Sequence, residues 1–347
     1  MEKAKRKILV IKIGAIGDAA MLLASLVAYK KRYPETYVTW VCGSGISSLI
    51  EAFREVDEII EVDDSRLLVG GILQKMKVVV GLWWRLFGRK VDLCVTAHSD
   101  RRYRLLSLVV MAGQKRFWGM HDGYRKPVPG RYHPNEYLSL FTGIEGPYAE
   151  HVAFPKLKRD LPQNLKKLFA ELTNPVVAIM PGGARNILSD NPQRRWPLSN
   201  YVELSERLLE AGITVIVTGG KTDKWVSSCF EGSGVVDLIG KTGLLDLISV
   251  YDNCQLVVTH DSGPFHLAKL TGTKILALFG PTSPYEKGPF DPCSKNVKII
   301  WGGGSLACRP CYDGKKFHPC TSNKCMQEIT VQIVESEALR LLSCSGD

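Results

Sequence analysis

Three stretches of this chain combine carboxylates, hydroxyls, cations and glycines in spacings that suit chemistry on anions and hydroxyl groups. The densest is Val257–Pro284, VVTHDSGPFHLAKLTGTKILALFGPTSP. It reads as a strand ending near Thr259, a polar turn from His260 to Gly263, and a helix from Pro264 to about Leu270 that Gly272 stops. A second strand, Lys274–Leu278, and a GPTSP loop follow. Pro264 stands where the first helical turn needs no N–H. A Ser-Gly pair at a helix start, Ser262 and Gly263, leaves backbone N–H groups at the positive end of the dipole, a cradle for phosphate or diphosphate. Two readings of Asp261 and Ser262 are open: helix caps, or ligand contacts at the strand ends where open α/β sheets bind. His266 falls one turn after Ser262 on the same face. It serves either as a phosphate or sugar contact or as a satisfied helix histidine.

The second stretch is a tight Pro181-Gly182-Gly183 loop followed by Arg194-Arg195-Trp196-Pro197, with Ser199 expected to cap the next helix. Glycines there let backbone N–H groups approach a ligand closely, and the two arginines are either anion ligands or surface charge. The third is Ile13-Gly14-Ala15-Ile16-Gly17-Asp18 after the first apolar strand. Asp18 sits at a loop-to-helix junction, as a first-turn acid favoured by the dipole or as a carboxylate able to take a proton. Near the end, Cys308-x2-Cys311-x8-Cys320-x4-Cys325 permits a tetrahedral structural zinc, with reduced structural thiols as the other reading.

The elements needed to hold these loops follow an α/β pattern. Short apolar strands are expected at Ile8–Ile11, Tyr37–Val41, Val56–Val62, Val91–Thr96, Lys115–Gly119, Val176–Met180, Thr214–Thr218 and Val235–Leu238, in addition to the two above, with helices between them. The opening is Rossmann-like but lacks the dinucleotide fingerprint. Its glycines run G-x-x-G, and Cys42 stands where a ribose-binding acid belongs, which disfavours a nicotinamide dehydrogenase. A Pro- and Gly-rich loop spans 123–132, and a charged, Pro-bearing stretch, Phe154–Pro175, is the candidate domain boundary. Thr222-Asp223 starts a helix after the Gly219-Gly220 turn, and Ile329–Leu342 reads as a last helix.

At 347 residues, 45% apolar and 23% charged, the chain has the length and composition of a two-domain globular protein. Its net charge of +10 implies an anionic partner: a nucleotide diphosphate, a phosphorylated lipid or an anionic membrane. Nucleic acid is disfavoured because no helix-turn-helix, zinc finger or RNP-like strand is present. The basic start carries only a four-residue apolar run and no stretch of eighteen apolar residues occurs, so a cytoplasmic protein with ten reduced cysteines is expected. The stretch 66–90, RLLVGGILQKMKVVVGLWWRLFGRK, has two readings: an interfacial helix whose Trp83, Trp84 and Phe87 meet lipid, or a helix packed on the sheet and interrupted by Gly70, Gly71 and Gly81.

The D-S-G-x-x-H-L-A, G-T-K and F-G-P-T-S-P pieces, with G-D early and P-G-G…R-R-W-P in the middle, resemble glycosyltransferase family 9, the heptosyltransferases of lipopolysaccharide inner core. The resemblance covers nearly the whole chain. It implies a GT-B arrangement: two Rossmann-like domains with parallel sheets facing a central cleft. Residues 1–160 would bind the acceptor, 161–328 the nucleotide sugar, and 329–347 would form a helix crossing back toward the first domain. It further implies inverting transfer with Asp18, beside Gly17, as general base. Gly183, Arg194, Arg195, Asp261, Ser262, Gly263, Pro264 and His266 would lie at the donor, with Asp223 and Thr242 near the nucleoside. Arg194 replaces the commoner lysine, and Gly14 and Ala15 replace serines of many relatives. The expected donor is ADP-heptose and the acceptor an anionic lipid-linked saccharide. No metal or other cofactor is expected, since no two aspartates stand two positions apart. A peripheral place on the inner face of the cytoplasmic membrane follows from such an acceptor. The alternatives are a sugar-nucleotide 2-epimerase on the same fold and a zinc-dependent binding protein without enzymatic activity.

Overall fold

The computed structural model describes residues 5–118, 130–144, 151–288, 296–312 and 317–343. Most of the loop read at 123–132, and Gly119, lie outside them. The chain divides into two compact units: residues up to Pro155 together with Asn186–Leu188, and Lys156–Arg185 together with Ser189 onward.

The first unit is a five-stranded parallel sheet: β1 (Lys7–Ile11), β2 (Tyr37–Gly43), β3 (Glu58–Val62), β4 (Lys90–Thr96) and β5 (Met111–Phe117), in the order β3-β2-β1-β4-β5. Its helices are α1 (Ile16–Arg32), α2 (Ser44–Glu51), α3 (Asp64–Leu68), α4 (Ile72–Leu86) and α5 (His133–Thr142), with a 3-10 segment at Arg101–Ser107. The run 66–90 breaks at Gly70-Gly71 into α3 and α4, two of the three glycines expected to interrupt it, because the α4 N-cap is Gly71 in extended backbone. Gly81 stays inside α4. The inner strands β1 and β2 are buried on both faces along almost their whole length, whereas the edge strand β5, MAGQKRF, is polar and largely exposed. One core cluster runs from Leu9 and Ile11 on β1, through Val41 and Ile60, to Leu82 and Leu86 on α4.

The second unit has six parallel strands: β6 (Val176–Met180), β7 (Thr214–Val217), β8 (Val236–Asp237), β9 (Leu256–His260), β10 (Lys274–Phe279) and β11 (Val297–Trp301), in the order β11-β10-β9-β6-β7-β8. Its helices are α6 (Gln163–Ala170), α7 (Leu198–Glu210), α8 (Leu244–Asp252), α9 (Gly263–Ala268), α10 (Pro284–Lys287), α11 (Lys324–Gln327) and α12 (Val331–Ser343), with 3-10 segments at Pro192–Arg194 and Lys221–Phe230. The last helix, α12, packs on α7, β9 and β10, placing Val334 and Ala338 in the core of this unit. Buried Trp196 donates its indole N–H to the Ile329 carbonyl at 2.7 Å, tying the chain's end to the start of α7. The expected Ser199 cap is not formed: α7 begins at Leu198 after Pro197, without a side-chain cap. Among the described residues no helix is long and apolar enough to cross a membrane.

Both sheets have the same reversal point. In the first, the order turns between β1 and β4; in the second, between β6 and β9. Strands leaving such a point send their following loops apart, opening a crevice at their carboxyl ends where ligands of open α/β sheets bind. The loop of Gly17-Asp18 follows β1. The Gly183 loop follows β6 and Asp261-Ser262 follows β9.

Candidate active site

In the second unit the two reversal-point loops meet. Gly183 has φ +76°, and a β-carbon there would lie 3.4 Å from Ser262 Cβ and 3.2 Å from Met180 Cε. Only glycine takes that backbone without strain in so close an approach. Asp223, 5% exposed, holds the loop. One of its oxygens accepts the Gly183 N–H at 2.9 Å and the other the Gly220 N–H at 2.8 Å, joining the turns after β6 and β7. Arg195 also has a positioning role. Its Nε donates to the Gly183 carbonyl at 2.9 Å, it pairs with Asp190, and its guanidinium lies over Trp225.

Arg194 points the other way, to Asp261 Oδ2 at 3.0 Å. The same oxygen accepts from the Thr282 hydroxyl at 2.7 Å, and His266 Nε2 lies 3.9 Å from Oδ1. Thr282 comes from the GPTSP loop, so this loop and Asp261 are one unit of structure. Burial alone would raise the Asp261 carboxyl, but Arg194, Lys287 and the Thr282 hydrogen bond outweigh it and hold the pKa below the ordinary value. Asp261 is therefore an ionised hub. Burial pulls Lys269 well down from its ordinary value, and Arg194 and Lys287 supply the charge that stabilises the Asp261 carboxylate.

The capping reading of this turn fails. Ser262 is the N-cap of α9, yet its hydroxyl makes no cap hydrogen bond. Ser262 Oγ, Asp261 Oδ1, Arg194 Nε and His260 Nε2 are all buried and find no hydrogen-bond partner. Buried polar atoms are rarely left so, and a group of them calls for an explanation. They combine an acceptor, a cationic donor and a hydroxyl that does either, complementary to a ligand carrying both phosphate oxygens and hydroxyl groups. With only six residues, α9 offers little helix dipole, so side-chain charge dominates at this turn. Pro264 occupies the first turn of α9 as read from sequence. Thr242, half-buried, lies in the turn after β8 at the sheet edge, three strands from β9.

In the first unit the helix after β1 starts at Ile16, which places Asp18 in the first turn of α1. The turn is made by Ala15 at φ 64°, an unfavourable conformation for alanine of the kind that collects at functional sites. Ala184, beside Gly183, shares it at φ 53°. Asp18 is 36% exposed and bonded at 2.9 Å by the ammonium of Lys12, itself only 2% exposed. Lys12 follows β1 directly, and sequence reasoning missed it because a lone lysine after an apolar strand has no motif. His98, two residues beyond β4, was also missed. It stacks on Tyr103 at 3.7 Å, and its Nδ1 accepts the Asp100 N–H at 3.0 Å. Burial and nearby Lys12 lower its pKa to about 4, so at neutral pH it is an uncharged imidazole with its proton on Nε2. A carboxylate, an ammonium and an imidazole thus gather at the carboxyl ends of two adjacent strands.

Cys308, Cys311, Cys320 and Cys325 line one small cavity with Gln193 and Pro281. Among the described residues no three His, Cys, Asp or Glu side chains are arranged to hold a metal ion. The segment also braces neighbouring loops: the Cys311 N–H donates to the Pro281 carbonyl at 2.9 Å, and the Asn323 amide to the Arg195 carbonyl at 3.4 Å.

Comparison with known proteins bears on the fold and the family. The model of "Glycosyltransferase family 9 (heptosyltransferase)" matches residues 111–321, well over half of the chain. Lipooligosaccharide heptosyltransferase 2 of Haemophilus ducreyi is 23% identical, over 97% of this chain and all of its own length. Among solved structures, a family 9 glycosyl transferase from Veillonella parvula superposes with a TM-score of 0.76 at 20% identity, covering 99% of each chain. The E. coli ADP-heptose lps heptosyltransferase II gives 0.70 at 21% identity, over 97% of this chain and 98% of its own. The two doubly wound sheets are thus those of the heptosyltransferase fold, and the chain belongs to glycosyltransferase family 9 as a sugar-transferring enzyme.

Proposed function

We propose that this enzyme transfers a heptose from ADP-heptose to the lipopolysaccharide core, or to a related lipid-linked saccharide, with inversion and without a metal ion. The relatives' names support the sugar, the donor and the acceptor class. The observation that carries the reading is the Arg194–Asp261–Thr282 hub with its buried, unbonded Arg194 Nε, Asp261 Oδ1 and Ser262 Oγ. A nucleotide sugar offers phosphate oxygens to the first and sugar hydroxyls to the second.

Direct displacement at the anomeric carbon requires two things. The acceptor hydroxyl must lose its proton as its oxygen attacks, and the departing diphosphate must be stabilised as charge builds on it. Asp18 takes the proton, and the Lys12 ammonium fixes which carboxylate oxygen is presented. Arg194 and Lys287 supply cationic charge for the leaving group in a site already shaped before reaction. These side chains occupy the role a divalent ion fills in transferases with an Asp-x-Asp motif. Work on a lipid-linked acceptor places the enzyme at the cytoplasmic face of the membrane.

Incubation with ADP-heptose and a core acceptor, in excess chelator, tests the proposal. ADP release with a product of inverted anomeric configuration by NMR is expected. Preference for GDP-, UDP- or dTDP-sugars in a thermal-shift screen would overturn the donor assignment. Loss of turnover in chelator, restored by manganese, would overturn metal independence. Donor consumption without acceptor would favour epimerisation.

A further inference from the structure

Residues 66–116 hold eleven Lys and Arg against two Asp, a net +9, of which Arg66 and Arg89 are paired with Asp63 and Glu58 just outside the segment. The same segment carries the most exposed apolar surface of the first unit. Along α4, Ile72, Met76, Val80 and Trp84 recur every four residues on one outward row, with Leu73 beside it and Phe87 just past the helix end. These six are between 56% and 85% exposed. The opposite side of α4 is accounted for, since Leu82 and Leu86 are buried and Val78 and Val79 pack on the sheet core. The row continues onto the 3-10 segment, because the Trp83 indole donates to the Leu105 carbonyl at 2.8 Å and Leu105 and Leu108 are more than half exposed. Lys77, on α4, and Lys90, three residues past Phe87 at the start of β4, are both exposed.

We propose that this face of α4 and the adjoining 3-10 segment docks on an anionic lipid bilayer. A monomeric surface rarely leaves so long an apolar row in water. Aromatic and aliphatic side chains between cations are what an interfacial helix needs, the rings entering the acyl boundary while the ammonium groups meet headgroup phosphates. The charge is what selects this occupant. A second copy of the chain would bring the same cations against themselves, whereas an anionic surface neutralises them. The proposal stands apart from the donor chemistry. It would survive if the sugar nucleotide proved to be another one, and nucleotide-sugar binding is measured separately.

Co-sedimentation of the full chain with phosphatidylglycerol and with phosphatidylcholine vesicles tests it. Binding to phosphatidylglycerol at low salt is expected, weaker by about tenfold on phosphatidylcholine and lost at high salt. The pair Val80→Glu and Trp84→Glu should reduce partitioning by about tenfold or more. The pair Lys77→Glu and Lys90→Glu should erase the preference for anionic lipid. Both variants should keep the parent melting temperature and nucleotide-sugar affinity, because all four side chains face solvent. Unchanged vesicle binding by the folded variants, or none by the parent chain, would overturn the proposal. So would a concentration-dependent dimer that Trp84→Glu abolishes, which would assign the face to a second copy.

Discussion

The pairing of Lys12 with Asp18 constrains how the carboxylate can be tested. Removing Asp18 altogether would leave a buried ammonium without its 2.9 Å partner, and unpaired buried charge costs stability of its own. Asp18→Asn keeps a carbonyl oxygen for Lys12 and removes only the basic function. Turnover should fall by roughly 10²–10⁴-fold while donor affinity by calorimetry stays unchanged; an active Asn variant would remove Asp18 from the base role. Arg194 poses the opposite case. Arg194→Ala strands the buried Asp261 carboxylate and should cost about 3 kcal/mol of stability besides weakening donor binding. Arg194→Lys keeps the charge and loses the fork, so the fold should survive and donor affinity should still drop. Two histidines make stability respond to pH. Burial first, then nearby cations, holds His98 at about 4 and His260 at about 3 in the folded chain, below the ordinary value of about 6.5. The unfolded state then binds more protons below pH 6.5, so stability falls with acidification over the window from there toward 4. Each site should lose on the order of 2 kcal/mol by pH 5. Denaturant midpoints of His98→Asn and His260→Asn, each with a smaller loss between pH 7 and 5 than the parent, check this.

Backbone conformation does the positioning at the next level up, in the loops at the carboxyl ends of the strands. Gly183→Ala puts a methyl group at φ +76° and within 3.4 Å of Ser262 Cβ. Destabilisation by about 1–2 kcal/mol is expected from the left-handed backbone alone. Donor affinity should fall as well, because Ser262 must give way; denaturation and calorimetry read the two separately, and unaltered donor binding would detach Gly183 from the site. These loops were the most legible part of the sequence. A strand end, a glycine and a polar residue lie close together in the chain, so Gly17-Asp18, Pro181–Gly183 and Asp261–Gly263 announce themselves. What was hidden is what crosses between elements. Lys12 and His98 meet on neighbouring strands, 86 positions apart, and Thr282 reaches Asp261 from the loop after the next strand. Asp223 and Arg195 stand in recognisable motifs, yet their hydrogen bonds shape the Gly183 loop. Of the three glycines expected to interrupt the run 66–90, the adjacent pair Gly70-Gly71 ends a helix, since two in a row give the backbone entropy to do so, whereas the lone Gly81 is carried inside α4.

Each of the two units carries its own parallel sheet and its own apolar cluster, and they share the proposed tasks unequally. The net charge is concentrated in residues 66–116 of the first unit, whereas the Arg194–Asp261 hub lies entirely in the second. A donor that binds only the folded second unit stabilises that unit by mass action, by about 2.7 kcal/mol at a hundred times its dissociation constant. For a unit of this size the corresponding rise in melting temperature is roughly 5–10 °C. Calorimetry should resolve two transitions, since chains with more than one core need not unfold in a single step. ADP-heptose should raise only one of them, the one that Arg194→Ala lowers. Val334→Asp, which would bury a carboxylate where α12 enters the second core, should depress that same transition by more than about 3 kcal/mol and leave the other in place. A donor-induced rise in the other transition, or an equal rise in both, would move the nucleotide-sugar site away from the hub and with it the division of labour argued here.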